Sequence, residues 1–168
     1  MSKPKISIYL DNFKKIEADI DSMSKSTDAA DAEGASASSK NEIIKGLNED
    51  LAREYKAIIQ YVVFSSTLKG AEYGDIAEQL KVHSSQELAH ALEVARQIDY
   101  LGGDPTVKVK DAEYSQDSKR MLEIGLKQEQ VTIKRYRERM RQAECSGEFA
   151  LSGALGILSH KNKITKWI

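Results

Sequence analysis

Proline is nearly absent from this chain, and that constrains its fold more than any other feature. Only Pro4 and Pro105 occur, so almost nothing interrupts long helices. Apolar residues recur at steps of three and four: Ile44, Leu47, Leu51, Ile58 and Tyr61, then Ile76, Leu80, Val94, Ile98 and Leu101, then Leu122, Leu126, Ile133, Tyr136 and Met140. Such steps keep one face of a helix turned to a core. The first helix is predicted from about Asn41 to Lys69, closing at Gly70. The second runs from about Asp75 to Leu101 and stops at "GGDP", glycine followed by proline. A third spans roughly Gln116 to Glu144, where "CSGE" breaks it, and a fourth runs from near Glu148 to Ile168. The expected fold is therefore all-α, an antiparallel four-helix bundle. The connection "TVKVKDAEYS" is longer than a helix hairpin needs, and is expected to cross over between helices 2 and 3.

Residues 1–40 read differently. Ile6, Leu10, Phe13, Ile16, Ile20 and Met23 have the spacing of a short amphipathic helix, and "SKSTDAADAEGASASSK" follows, small and polar, as a flexible linker. The expected organisation is an N-terminal extension over 1–40 and a bundle over 41–168. A net charge of −1 gives no electrostatic footprint for nucleic acid. The one cysteine, Cys145, cannot build an internal disulfide framework, which fits a reducing cytoplasm. No 18-residue apolar run indicates a membrane span, and the first residues lack the apolar core of a secretory signal.

In the segment "VHSSQELAH", His83, Glu87 and His90 occupy slots where the stripe calls for apolar residues. Glu54 does the same near the middle of the first helix and Glu129 near the middle of the third. Each has an ordinary reading. A helical Glu is usually a solvated surface group, and an isolated Glu-x-x-His is common by chance. His83 reads first as a buried histidine with a hydrogen-bond partner, and Tyr55, Tyr61 and Tyr136 as core or hydrogen-bonding residues. The conjunction carries more weight. Three helices aim Glu54, Glu87, His90 and Glu129 inward at similar depth, and buried charge needs compensation, for which a metal is one candidate. Carboxylate oxygen and imidazole nitrogen suit iron(II), and negative ligands favour its oxidation. A Glu from each of two helices with Glu-x-x-His from the others is the layout of di-iron carboxylate bundles.

The segments "LNEDLAREYKAIIQY", "QELAHALEVARQIDYLGG" and "LKQEQVTIKRYRERMRQAE" resemble the ferritin superfamily, most closely bacterioferritins and bacterioferritin-like ferritins. The resemblance covers roughly Asn41 to Phe149, with 33 residues from Glu54 to Glu87 and 42 from Glu87 to Glu129. It implies that Glu54 is a terminal iron ligand, Glu87 a bridging ligand, His90 a terminal ligand and Glu129 the bridging ligand from the third helix. It also implies a di-iron ferroxidase centre, with Fe(II) and O2 or peroxide as reactants. A homo-oligomeric shell, in the family usually of twenty-four subunits, would hold the ferric mineral, giving a role in iron storage and homeostasis.

Two departures stand out. Haem-binding members carry methionine directly after the Glu of the second-helix motif, and here that residue is Leu88, which argues against haem. The second Glu-x-x-His should fall near residues 161–165, where the chain reads "HKNKITKWI". His160 is the one histidine nearby, and Lys161 would oppose a cation if it faced the site. Back-translation permits CAC AAG AAC AAG ATC ACA AAA TGG ATT. Read from the third base of the first codon, this gives Gln-Glu-Gln-Asp-His-Lys-Met-Asp, which contains Glu-x-x-His. On this reading the C-terminal segment is a frame-shifted form of an intact motif, a point the coding DNA decides. A rubrerythrin-like peroxidase fits less well, since one cysteine cannot supply a four-thiolate iron site. The remaining alternative is a non-catalytic ferritin-like subunit or helical interaction protein, with residues 1–40 as a docking arm.

Overall fold

The computed structural model describes residues 33–161, with side chains over residues 39–159. The amphipathic helix expected over Ile6–Met23 and the end of the fourth helix lie outside the described residues. Among the described residues there are four α-helices: α1 (Glu33–Thr67), α2 (Gly74–Tyr100), α3 (Ser118–Cys145) and α4 (Phe149–Lys161). A single 3-10 turn at Ala71–Tyr73 joins the first two, and there is no strand among the described residues. α1 begins at Glu33, so the last residues of the stretch expected to be linker are helical. Where this stretch joins the rest of α1 it meets the α3–α4 turn, with Ser39 Oγ 2.5 Å from Ser146 Oγ and Lys40 Nζ 4.0 Å from Glu148.

The helix ends follow from local chemistry. Asp117 caps α3, its side chain accepting from the Arg120 amide at 2.7 Å. α2 and α3 both end with a left-handed glycine, Gly102 at φ 80° and Gly147 at φ 76°. In each case the amide two places past the last helical turn reaches back five residues, Gly103 to Ile98 and Glu148 to Ala143. Glycine takes this backbone conformation without steric cost, so "GGDP" and "CSGE" stop their helices. Gly103 is needed for a second reason: a Cβ there would lie 2.5 Å from the Ile44 side chain.

Antiparallel order follows from the cross-helix contacts. Along α1, Asp50, Glu54, Tyr61 and Thr67 meet Arg139, Tyr136, Glu129 and Met121 of α3, in descending order. α2 likewise runs against α1, so α2 and α3 are parallel and a crossover must travel the length of the bundle. The segment 101–117 does so as a strap along α1. Asn48 donates to the Asp104 carbonyl and accepts from the Thr106 amide, the Lys110 amide donates to the Ala52 carbonyl, Gln60 donates to the Glu113 carbonyl, and Ser118 bonds Lys69.

Two apolar clusters fill the bundle. The larger gathers Ile43, Leu47, Leu51, Val94, Ile98, Leu101, Tyr136, Ala143, Leu151, Leu155 and Leu158 from all four helices and the adjoining turn. The smaller contains Tyr61, Phe64, Leu80, Met121 and Ile124, from α1, α2 and α3. The stripe expected on α3 is partly corrected here. Leu122, Leu126 and Ile133 are only half-buried, whereas Met121, Ile124 and Tyr136 of the same helix are buried. On α1 it is Ile43 that is fully buried, and Ile44 packs beside it half-buried.

Candidate metal centre

Between the two apolar clusters the bundle interior turns polar. Glu54 of α1, Glu87 and His90 of α2, and Glu129 of α3 are each at most 4% exposed. One ligand atom from each of Glu54, Glu87 and His90 can be chosen so that all lie within 4.8 Å of one another. His90 Nδ1 is 2.9 Å from Glu87 Oε2 and 3.9 Å from Glu54 Oε2. Placing Glu87 and His90 three apart sets both on one face of α2, one turn from each other. Glu129 stands outside that trio but beside it, its charge acting on Glu87 and the charge of Glu54 acting on it. The structure thus gathers Glu54, Glu87 and His90 as one group, with Glu129 at its border.

Two tyrosines orient the carboxylates. Tyr136 of α3 donates to Glu54 at 2.6 Å, and Tyr61 of α1 donates to Glu129 at 2.7 Å. The pair is reciprocal, each tyrosine reaching across to the other helix's glutamate. Burial and these carboxylates push both phenols well above the usual range, so they remain donors at neutral pH. Tyr55, in contrast, packs at the edge of the larger cluster. His83 is buried with its ring 6.1 Å from that of Tyr61, and burial lowers its pKa against a hydrogen bond with Gln86. It does not join the Glu54–Glu87–His90 group.

The carboxyls carry the mark of a site built for positive charge. Burial, reinforced by the Glu87 carboxylate, raises the Glu54 pKa well above its ordinary 4.5. Burial, with the charge of Glu129 adding to it, takes Glu87 to about 8, and burial takes Glu129 to about 7 against the Tyr61 hydrogen bond. One carboxylate oxygen, Glu129 Oε2, is buried with no hydrogen-bond partner among the described residues. Three clustered carboxyls, an imidazole and an orphaned oxygen fit a hard or borderline cation with O/N preference. Iron(II) is such an ion.

Sequence reading missed the brace beside this layer. Asp50, 2% exposed, is held by the guanidiniums of Arg135 and Arg139, the latter at 3.1 Å, tying α1 to α3 one turn from Glu54. Burial raises the Asp50 pKa although both arginines pull it down. The available signal was an Arg pair spaced by four on α3, facing an acid at the edge of the α1 stripe.

Buried carboxylate and imidazole groups midway along an antiparallel bundle whose middle helices are joined by a full-length crossover define the ferritin-like class. The chain belongs to the ferritin family, whose ferritin-like domain matches residues 44–160. It is similar to the bacterioferritin of Desulfovibrio desulfuricans, 29% identical over 110 residues, which are 65% of this chain and 62% of the relative. Thus the chain spans about three-fifths of the length of that curated relative. Among solved structures, a ferritin-like di-iron carboxylate protein from Bacillus anthracis superposes with a TM-score of 0.71 at 35% identity, covering 74% of this chain and 89% of that one. The D. desulfuricans bacterioferritin superposes with a TM-score of 0.69 at 26% identity, covering 76% and 75%.

Proposed function

We propose that this protein binds iron(II) at Glu54, Glu87, His90 and Glu129, passes its electrons to dioxygen, and stores the ferric product. The observation that carries this is the buried Glu54–Glu87–His90 group, whose ligand atoms lie within 4.8 Å of one another. Similarity to a di-iron carboxylate protein supports iron over other cations. In this reading Glu54, Glu87, His90 and Glu129 would hold the iron, with Glu87 standing between Glu54 and Glu129. Tyr136 and Tyr61 hold the outer carboxylates in place, so their rotamers are set before the ion arrives. Ion binding displaces the protons that the raised pKa values retain in the empty site, so uptake releases protons and strengthens with pH.

Oligomer formation belongs to the same proposal. α1 and α2 expose Ile59, Val62, Leu88 and Leu92, a surface that a second copy would cover. Leu88 has no ligand atom, and haem has no place in this reading. No helix among the described residues is long and apolar enough to cross a membrane. Cys145 is an exposed free thiol, consistent with a cytoplasmic setting.

A second reading has its own observation. Residues 149–159 of α4 include no Asp, Glu, His or Cys, so α4 contributes no ligand among the described side chains. A chain with only three ligand-bearing helices would hold one iron firmly and serve as a non-catalytic subunit. Anaerobic iron(II) titration followed by aeration and ultraviolet absorbance separates the two. Two irons per chain with saturable oxidation support the ferroxidase, and one iron without oxidation supports the non-catalytic subunit. Absence of binding overturns both.

A further inference from the structure

A second charged feature lies on the flank of the bundle, outside the carboxylate layer. A cavity of about 170 Å³ opens between α1 and α3, beside the crossover strap. Arg53 and Lys56 of α1 and Lys127 of α3 line it, with Gln128, Thr132 and Glu113 completing the polar wall. We infer that this cavity is a binding site for a small tetrahedral oxyanion of the phosphate class.

Charge is the first argument. The ion pairs among the described residues engage none of Arg53, Lys56 and Lys127. Arg53 Nε is buried with no hydrogen-bond partner among those residues. Burial lowers the Lys56 pKa, and the charges of Arg53 and Lys127 add to the drop, while Glu113 and Asp111 oppose it. Three cations thus converge on a space that holds one lining carboxylate, and an anion relieves both the repulsion and the orphaned donor.

Shape is the second. A water occupies roughly 10–15 Å³ on a comparable measure of cavity volume, so 170 Å³ accepts a small oxyanion but not a polymer. The wall is fixed: Gln128 donates to Gln60, which donates to the Glu113 carbonyl, both at 2.5 Å. That relay pins the strap against α1 and α3, so the cavity is built before any ligand enters. A guanidinium fork, ammonium groups and the Thr132 hydroxyl are the donor types that tetrahedral oxyanions take.

The test is calorimetric titration of the iron-free full chain with inorganic phosphate at constant ionic strength, since bound iron would itself capture phosphate. We expect saturable binding of one phosphate per chain, matched by sulfate. Arg53→Gln and Lys56→Gln should each weaken it by at least about tenfold, while Lys81→Gln on α2 leaves it unchanged. Circular dichroism melts confirm that each variant is folded. No saturable binding below about 10 mM, or equal affinity in folded Arg53→Gln, Lys56→Gln and parent chains, overturns the inference.

Discussion

The two ends of the bundle differ in how they are built. At the end that carries the α3–α4 turn, four helices close around Leu47, Leu51, Val94, Ile98, Leu151 and Leu155, with exposures of zero throughout. At the other end the described residues Phe64, Leu80, Met121 and Ile124 come from three helices, and Leu122 stays half-buried beside them. The carboxylate layer sits at the boundary. The lesson is a division of labour. Apolar packing at the four-helix end holds the helices in register, and that register forces Glu54, Glu87, His90 and Glu129 together despite the cost of burying them. A site that opposes its own folding needs such an anchor.

The largest expected effect would break the comparison directly. Leu51→Ala, at zero exposure in the larger cluster, should cost about 2–5 kcal/mol. Leu126→Ala, half-buried on α3, should cost roughly half as much, because less apolar area leaves water there. Urea denaturation of the two variants checks this, and equal losses would mean that the ends are equivalent.

The boundary layer gives the next prediction. Glu87 and Glu129 have pKa values of about 8 and about 7 in the fold, above the ordinary 4.5. The folded state therefore holds protons that the unfolded chain has released. Stability from these groups is fully present below pH 4.5 and is lost as pH rises through about 7 to 8. Iron-free protein should melt progressively lower over that window, and iron should restore the melt. Glu129→Gln keeps an acceptor for Tyr61 while removing a charge. It should flatten the pH dependence, leave the apo-protein as stable or more so at pH 8, and weaken iron binding at least about tenfold. A destabilised apo Glu129→Gln would make this carboxylate a structural partner and not a ligand.

A smaller effect is expected at the brace between the anchor and the site. A Cβ on Gly46 would lie 2.1 Å from Arg139 Cζ, so the guanidinium must move and its hold on Asp50 must loosen. Gly46→Ala should cost about 1–3 kcal/mol, read by thermal melting. Neutral behaviour would show that Arg139 finds another pose without loss.

Much of this was legible in the sequence, for physical reasons that can be named. Helix existence and order followed from apolar spacing and from Gly102 and Gly147, since periodicity and left-handed glycine are local properties. The convergence of Glu54, Glu87, His90 and Glu129 was legible because polar residues in core slots of an antiparallel bundle must face the same interior. Exposure along α3 was not, as it depends on how the helices are rotated against one another. Neither the Asp50 brace nor the cationic cavity could be read, because their members sit at stripe edges and meet only once the crossover and helix rotations are set. The start of α1 at Glu33 was hidden by small polar residues, whose weak propensities give no periodic signal.

That misread boundary supplies the smallest and last prediction, at the outer tip of the four-helix end. Within α1, Ser39 meets Ser146 and Lys40 approaches Glu148, and both partners lie in the α3–α4 turn. The ion pair is partly solvated at 4.0 Å, and such pairs contribute roughly 0–1 kcal/mol. The hydroxyl contact adds a net contribution of about 1 kcal/mol. Deleting residues 1–32 should thus leave the melting temperature of the bundle unchanged, since that cut spares both contacts and the described part of α1. Extending the deletion through residue 40 removes both contacts and the first turns of α1, and should lower stability by about 1 kcal/mol. Paired thermal melts of the two truncations decide it. Equal melts would mean that these contacts contribute nothing and the anchor begins at Ile43. A large loss on removing 1–32 alone would mean that the N-terminal segment packs on the bundle.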